Sequence, residues 1–139
     1  MTKQSEIFLT KQYREAGVTF VNADGTTIKT LIAAGADDSN VIGLSITSTD
    51  GTARDLLLYK QIGGTDYLIG HVDIPANAGF NGVANQVDGL NITNLPANCI
   101  DSAGNLFMSL PAGTTLRAAM KTSVTASQTI TVNIVLEDY

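Results

Sequence analysis

One histidine, one cysteine and thirteen acidic side chains are the material from which any reactive centre in this chain must be built. His71 lies two residues from Asp73 in Gly70-His71-Val72-Asp73, a run that reads as a strand, so alternation sets both on one face. A carboxylate that orients an imidazole is half of a nucleophilic triad. The other half has no recognisable carrier, because no Gly-x-Ser-x-Gly elbow occurs. The pair is therefore expected to be an ordinary surface or interface histidine beside an acid. Zinc needs clustered His and Cys, and one of each, far apart, does not supply it. Cys99 is expected to be a small buried hydrophobe, and alone it makes no intrachain disulfide.

The acids are no more specific. Asp24, Asp37, Asp38, Asp50 and Asp55 fall in or beside turns, but their spacing is not that of a calcium loop, and they read as turn-forming, solubilising residues. Gly63-Gly64 is a hairpin turn rather than a phosphate cradle, since no helix start or Lys follows. Paired carboxylates for glycoside hydrolysis must face each other across a cleft, and nothing selects one pair among the thirteen. Sugar platforms are wanting too: there is no Trp, and the four Tyr are scattered. The expectation is no catalytic, cofactor-binding or metal-binding residue, and no enzyme.

The elements that would position these side chains are strands. In Thr114 to Tyr139, Leu116, Ala118 and Met120 alternate with Arg117, Ala119 and Lys121. After a polar break at Thr125-Ala126-Ser127-Gln128, Ile130, Val132, Ile134 and Leu136 alternate with more polar residues. That period of two marks half-buried strands, and the stretch reads as a hairpin that needs further strands to pack against. Upstream, short strands are expected around Val18–Phe20, Thr27–Ala33, Val41–Thr49, Ala53–Ile62, Tyr67–Ile74 and Asn105–Leu110, divided by Asp24-Gly25, Asp50-Gly51 and Gly63-Gly64. The strand with Leu56 and Leu58 on one face and Leu57 and Tyr59 on the other is apolar on both sides, which predicts a central or interface strand. Pro75 to Gly104 is a long excursion with one short strand near Leu90 to Leu95. Residues 1–16 form an arm in which Leu9, Tyr13 and Ala16 are compatible with one or two helical turns. Residues 17–139 form the domain. The fold expected is an all-β, jelly-roll-like antiparallel β-sandwich of about eight strands with a short N-terminal arm.

Composition narrows the partners. The chain has 139 residues, 44% hydrophobic and only 15% charged, with a net charge of −5. One ordinary domain with a full core fits that length. The basic residues form no cluster, which excludes phosphate-neutralising nucleic-acid binding and disfavours anionic membranes. Residues 1–15 carry three basic against two acidic side chains, and the remainder five against eleven. No signal peptide is read at the start, and synthesis in a cytoplasm is expected.

Several phrases carry a family resemblance: Val18-Thr19-Phe20-Val21-Asn22-Ala23-Asp24, Lys29-Thr30-Leu31, Val72-Asp73-Ile74-Pro75-Ala76-Asn77-Ala78-Gly79, Leu110-Pro111-Ala112-Gly113-Thr114-Thr115-Leu116 and the final Glu137-Asp138-Tyr139. In order and spacing, from about Gly17 onward, they resemble the capsid decoration (cement) proteins of tailed bacteriophages. The resemblance implies a structural protein on the outside of a phage head, made in the host cytoplasm. Its partner would be the major capsid protein, and it would be a homo-oligomer, a trimer before a dimer. Ile7, Phe8 and Leu9 in the arm, with Leu57 and Tyr59, are the expected contact residues. A different class of reading is a receptor- or carbohydrate-binding sandwich of a phage tail or cell surface, which would bind through the loops of Ala76 to Asn98.

Overall fold

The structure, a computed structural model, describes residues 11–91 and 99–139. Among these residues are nine strands: β1 (Gln12–Val21), β2 (Lys29–Ala33), β3 (Ser39–Ser48), β4 (Arg54–Ile62), β5 (Thr65–Ile74), β6 (Val87–Asp88), β7 (Met108–Leu110), β8 (Thr114–Met120) and β9 (Thr129–Asp138). A 3-10 turn spans Asn22–Asp24. Sheet 1 runs β1-β9-β3-β6, with β7 also pairing with β3, and sheet 2 runs β2-β8-β4-β5. All the strand pairings are antiparallel. When β6 and β7 are taken as two segments of one edge, the order becomes 1-8-3-6 facing 2-7-4-5. That is the doubly wound order of a jelly roll.

Alternation builds the core between the sheets. Val41, Leu44 and Ile46 of β3, and Ile130, Val132, Ile134 and Leu136 of β9, point inward from sheet 1. Leu56 and Leu58 of β4, with Leu116, Ala118 and Met120 of β8, meet them from sheet 2. Phe20, near the end of β1 opposite Ile130, has no exposed surface. β4 lies between β8 and β5, so the strand with two apolar faces is a central one. The β4–β5 hairpin closes through Gly63 and Gly64, both at positive φ, as a two-residue turn of this hand requires.

Three expectations change. Thr114–Tyr139 is not a hairpin: β8 belongs to sheet 2 and β9 to sheet 1, and the connection arches across the edge with Val124 buried beneath it. Alternation reports that each arm is half buried and says nothing of which strand it pairs with. β1 begins at Gln12, five residues before Gly17. Ala16, Val18 and Phe20 turn toward the core, and the strand zips to β9 over ten pairs from Gln12↔Asp138 to Val21↔Thr129. Tyr13 and Ala16 are thus in a strand, not a helical turn. In the long excursion, the short strand observed is Val87–Asp88. Most of Leu90 to Leu95 lies outside the described residues.

Candidate interaction surface

The sites singled out in sequence do not converge. His71 Nε2 lies 3.3 Å from Asp73 Oδ1, with both side chains more than half exposed. The pair is a solvent-exposed imidazole–carboxylate contact. Among the described residues, no three His, Cys, Asp or Glu side chains are grouped to hold a metal ion. Cys99 is half buried against the core.

Asp50 corrects the view of the turn acids as solubilising. Its side chain is 1% exposed. Oδ1 accepts from Thr52 N at 3.0 Å and Thr125 Oγ1 at 2.8 Å, and Oδ2 accepts from Arg54 Nε at 2.9 Å and Thr125 N at 2.9 Å. Its own carbonyl accepts from Asn77 N at 2.8 Å. Burial by itself pushes the carboxyl upward. The donors of Thr125, Thr52 and Arg54 outweigh that effect and hold it down at about 2. This knot fastens the β3–β4 turn, the β8–β9 arch and the loop after β5 to one another.

A surface with the anatomy of an interface lies elsewhere, on the outward side of sheet 2. The ladders place four rows across β5, β4 and β8. Two central rows read His71, Leu57, Ala119 and Leu68, Tyr59, Arg117. Leu57 and Tyr59 are half buried, Leu68 is 60% exposed and Ala119 is covered by its neighbours. The end rows are charged: Asp73, Asp55 and Lys121 at one end, and Asp66 pairing with Arg117 at 2.9 Å at the other. An apolar centre with a polar, ion-paired rim is the usual layout of a protein-binding patch. Sheet 1 is different. Two of its outward rows, Gly17, Asn133, Ser45 and Thr19, Thr131, Thr47, are small and uncharged, and charge enters toward the other end, at Glu15 and Glu137.

Of the expected contact residues, Leu57 and Tyr59 therefore lie together at the centre of this patch, while Ile7, Phe8 and Leu9 lie outside the described residues. Leu68 was not anticipated. A bulge at Ile69 shifts the alternation of β5 between Leu68 and Gly70, so counting outward from His71 assigns Leu68 to the wrong face. The one available signal was the Ile69-Gly70 pair, since a strand glycine often marks a bulge.

No protein-family model matches this sequence, and no curated protein matches it. Among the solved structures that overlap it are two viral ones. One is the extra small virus VLP of the giant freshwater prawn Macrobrachium rosenbergii, at 10% identity and a TM-score of 0.33, covering 94% of this chain and 81% of that one. The other is the Gt strain of infectious bursal disease virus, at 14% identity and a TM-score of 0.31, covering 94% of this chain and 30% of that one. Overlap at this level carries no functional inference, and the strand order described above stands on its own as the architecture.

Proposed function

We propose that this protein is a capsid decoration protein that binds the outside of a phage head and strengthens the contacts between major capsid protein subunits. The observation that carries the reading is the outward face of sheet 2, where Leu57, Tyr59 and Leu68 form an apolar centre between two ion-paired ends. The phrases from Val18 to Asp24 and from Leu110 to Leu116, which resemble cement proteins, agree with it. Both phrases fold into the sandwich body, at the end of β1 and across the β7–β8 turn.

The mechanism is mechanical. A shell is held by many weak lateral contacts. A rigid sandwich that seats its patch across a subunit boundary adds buried surface that exists only in the assembled lattice. Whatever binds only the assembled state stabilises it by linkage. Repetition over many copies makes modest contacts collectively strong, and ~800 Å² per partner suffices for one specific contact. The jelly roll suits this role because its sheets are joined at both ends and resist shear. The acidic body does not attract DNA, as befits an outer position. Self-association as a trimer would multiply the number of patches presented per particle.

Co-sedimentation tests the reading directly. The protein is expected to pellet with expanded heads of the encoding phage and to stay in solution with unassembled coat protein. Leu68→Asp places a charge at an exposed position, so the fold is expected to survive while head binding falls at least tenfold. Equal binding to free coat subunits, or undiminished binding by Leu68→Asp, would count against it.

A further inference from the structure

The chain holds one Asn–Gly dipeptide, Asn81-Gly82, at the tip of the loop between β5 and β6. The base of that loop is closed. Gly79 N donates to the carbonyl of Ala84 at 2.8 Å and Phe80 N to that of Asn77 at 3.0 Å, while Asn77 and Ala78 are tied to Asp50 and Ser48. Residues 80–83 stand clear of this base and are all exposed, Phe80 at 63% and Val83 at 87%. No charged side chain occurs from Ile74 to Val87. The tip is thus a fixed, neutral projection with two bulky apolar groups.

An asparagine before glycine is the one most open to attack on its side-chain amide by the next backbone nitrogen, because glycine puts no side chain in the way. Local geometry then decides whether the attack proceeds. Asn81 Oδ1 accepts from Val83 N at 3.1 Å. That N–H lies where negative charge would gather on the amide oxygen, so it favours addition at Cγ. Gly82 has a φ of 79°, and nothing stands within 4 Å of where its Cβ would be. Among the described residues, the Gly82 N–H has no acceptor and Asn81 Nδ2 has no partner, so neither the attacking nor the leaving nitrogen is held back.

We infer that Asn81 is a self-modifying site, at which the Gly82 nitrogen displaces the side-chain amide and water then leaves a carboxylate. The Gly82 nitrogen gives its proton to solvent hydroxide and bonds to Asn81 Cγ. The Cγ–Nδ2 bond breaks, and Nδ2 departs as ammonia with a proton from water. A five-membered cyclic imide remains. Water opens it at one carbonyl or the other, giving aspartate or its β-linked isomer, and the ammonia takes up the acid's proton. Overall one water is consumed and one ammonium leaves, so the chain gains one negative charge and nothing is oxidised or reduced. That charge sits between Phe80 and Val83, where it disfavours burial of the tip against any partner.

The same backbone pattern at Asp88-Gly89-Leu90 shows what blocks such a reaction. Asp88 Oδ1 accepts from Leu90 N at 2.9 Å, as Asn81 does from Val83. There, however, Gly89 N is bonded to the Leu44 carbonyl at 2.7 Å, and a Cβ on Gly89 would meet Leu44 at 2.6 Å. Its nitrogen is not free to turn toward the side chain. Asp88 also presents a carboxylate, a poorer electrophile than an amide.

Holding the full chain at mildly alkaline pH and 37 °C tests the inference. An acidic form should grow on anion exchange. Peptide mapping should place the new aspartate and its isomer at Asn81, at least tenfold ahead of Asn85 in the same loop. The rate in the folded chain should lie within tenfold of the rate in concentrated urea, because the fold leaves the site open. Asn81→Gln should abolish the acidic form and leave Tm in place. In Asp88→Asn, residue 88 should react at least tenfold more slowly than Asn81. Earlier modification at another asparagine, or more than tenfold protection by the fold, would overturn the inference. So would reaction at residue 88 of Asp88→Asn as fast as at Asn81.

Discussion

Asp50 and Asp138 close opposite ends of the sandwich, the first just beyond the end of β3 and the second paired with Ser39 at its start. Both are acceptors for an arginine and a hydroxyl. Asp138 takes Arg14 through Nε and Nη2 and Ser39 Oγ at 2.6 Å, while Arg14 also donates to the carbonyl of Ala33 at 2.7 Å. Arg14 first, and Ser39 after it, hold the Asp138 carboxyl below the usual range. The difference lies in the donors and in the water. Asp50 is sealed in and receives two backbone N–H groups, whereas Asp138 keeps 18% of its side chain exposed and is served by side chains alone. A sealed acid whose donors belong to the backbone cannot be replaced by solvent. A half-open one bonded by mobile side chains can, so the same motif is worth very different amounts at the two ends.

The largest effect should come from Asp50→Ala. It strands Arg54 and the amides of Thr52 and Thr125, and a loss of ~3–5 kcal/mol is expected, read as a fall of about 10 °C or more in Tm. Acid should reveal the same knot. The Asp50 carboxyl is held near 2 when folded, against 3.8 for an unperturbed Asp, so its contribution is complete above pH 4 and fades as the pH falls through 2. On the order of 2 kcal/mol should disappear over that window in urea titrations, and Asp50→Asn should flatten that part of the profile. At the other end, Asp138→Asn should cost only about 1 kcal/mol and should cost less in 0.5 M salt, where the exposed pairing with Arg14 is screened.

Two glycines give the finest contrast. A Cβ on Gly35 would stand 2.9 Å from Asp138 Oδ1, so Gly35→Ala should push that carboxylate off Ser39 and cost roughly 1 kcal/mol. Gly51, beside Asp50, has open space around its Cβ position, so Gly51→Ala should stay within ~0.5 kcal/mol of the parent. If Gly51→Ala proved the more harmful of the two, the contrast drawn between the ends would be wrong.

The architecture was largely legible because alternation is a local property. β3, β8 and β9 each declare an inward and an outward face within seven to ten residues, and Leu56 to Tyr59 announced a central strand. Pairing is not local. The arms on either side of Thr125 to Gln128 look like a hairpin, and it takes their pairing into different sheets, with Val124 buried and Thr125 bonded to Asp50, to show the connection to be an arch. The same limit hid the role of Asp50, whose neighbours Ser48, Gly51 and Thr52 read as an ordinary turn while its decisive donor is 75 residues away. On the outward face of sheet 2, Leu57 and Tyr59 were legible from the two-sided pattern, and Leu68 was not, because a single bulge inverts the count.

The placement of β9 between β1 and β3 has a consequence for how the molecule is made. On the ribosome, β1 and β3 emerge long before the strand that joins them, and each must wait with a bare edge until residues 129–138 leave the exit tunnel. Sheet 1 is thus completed only once β9 has been made, slow in the manner of long-range β topologies. Chains stalled before that segment should be the form most prone to clump or to be captured by chaperones.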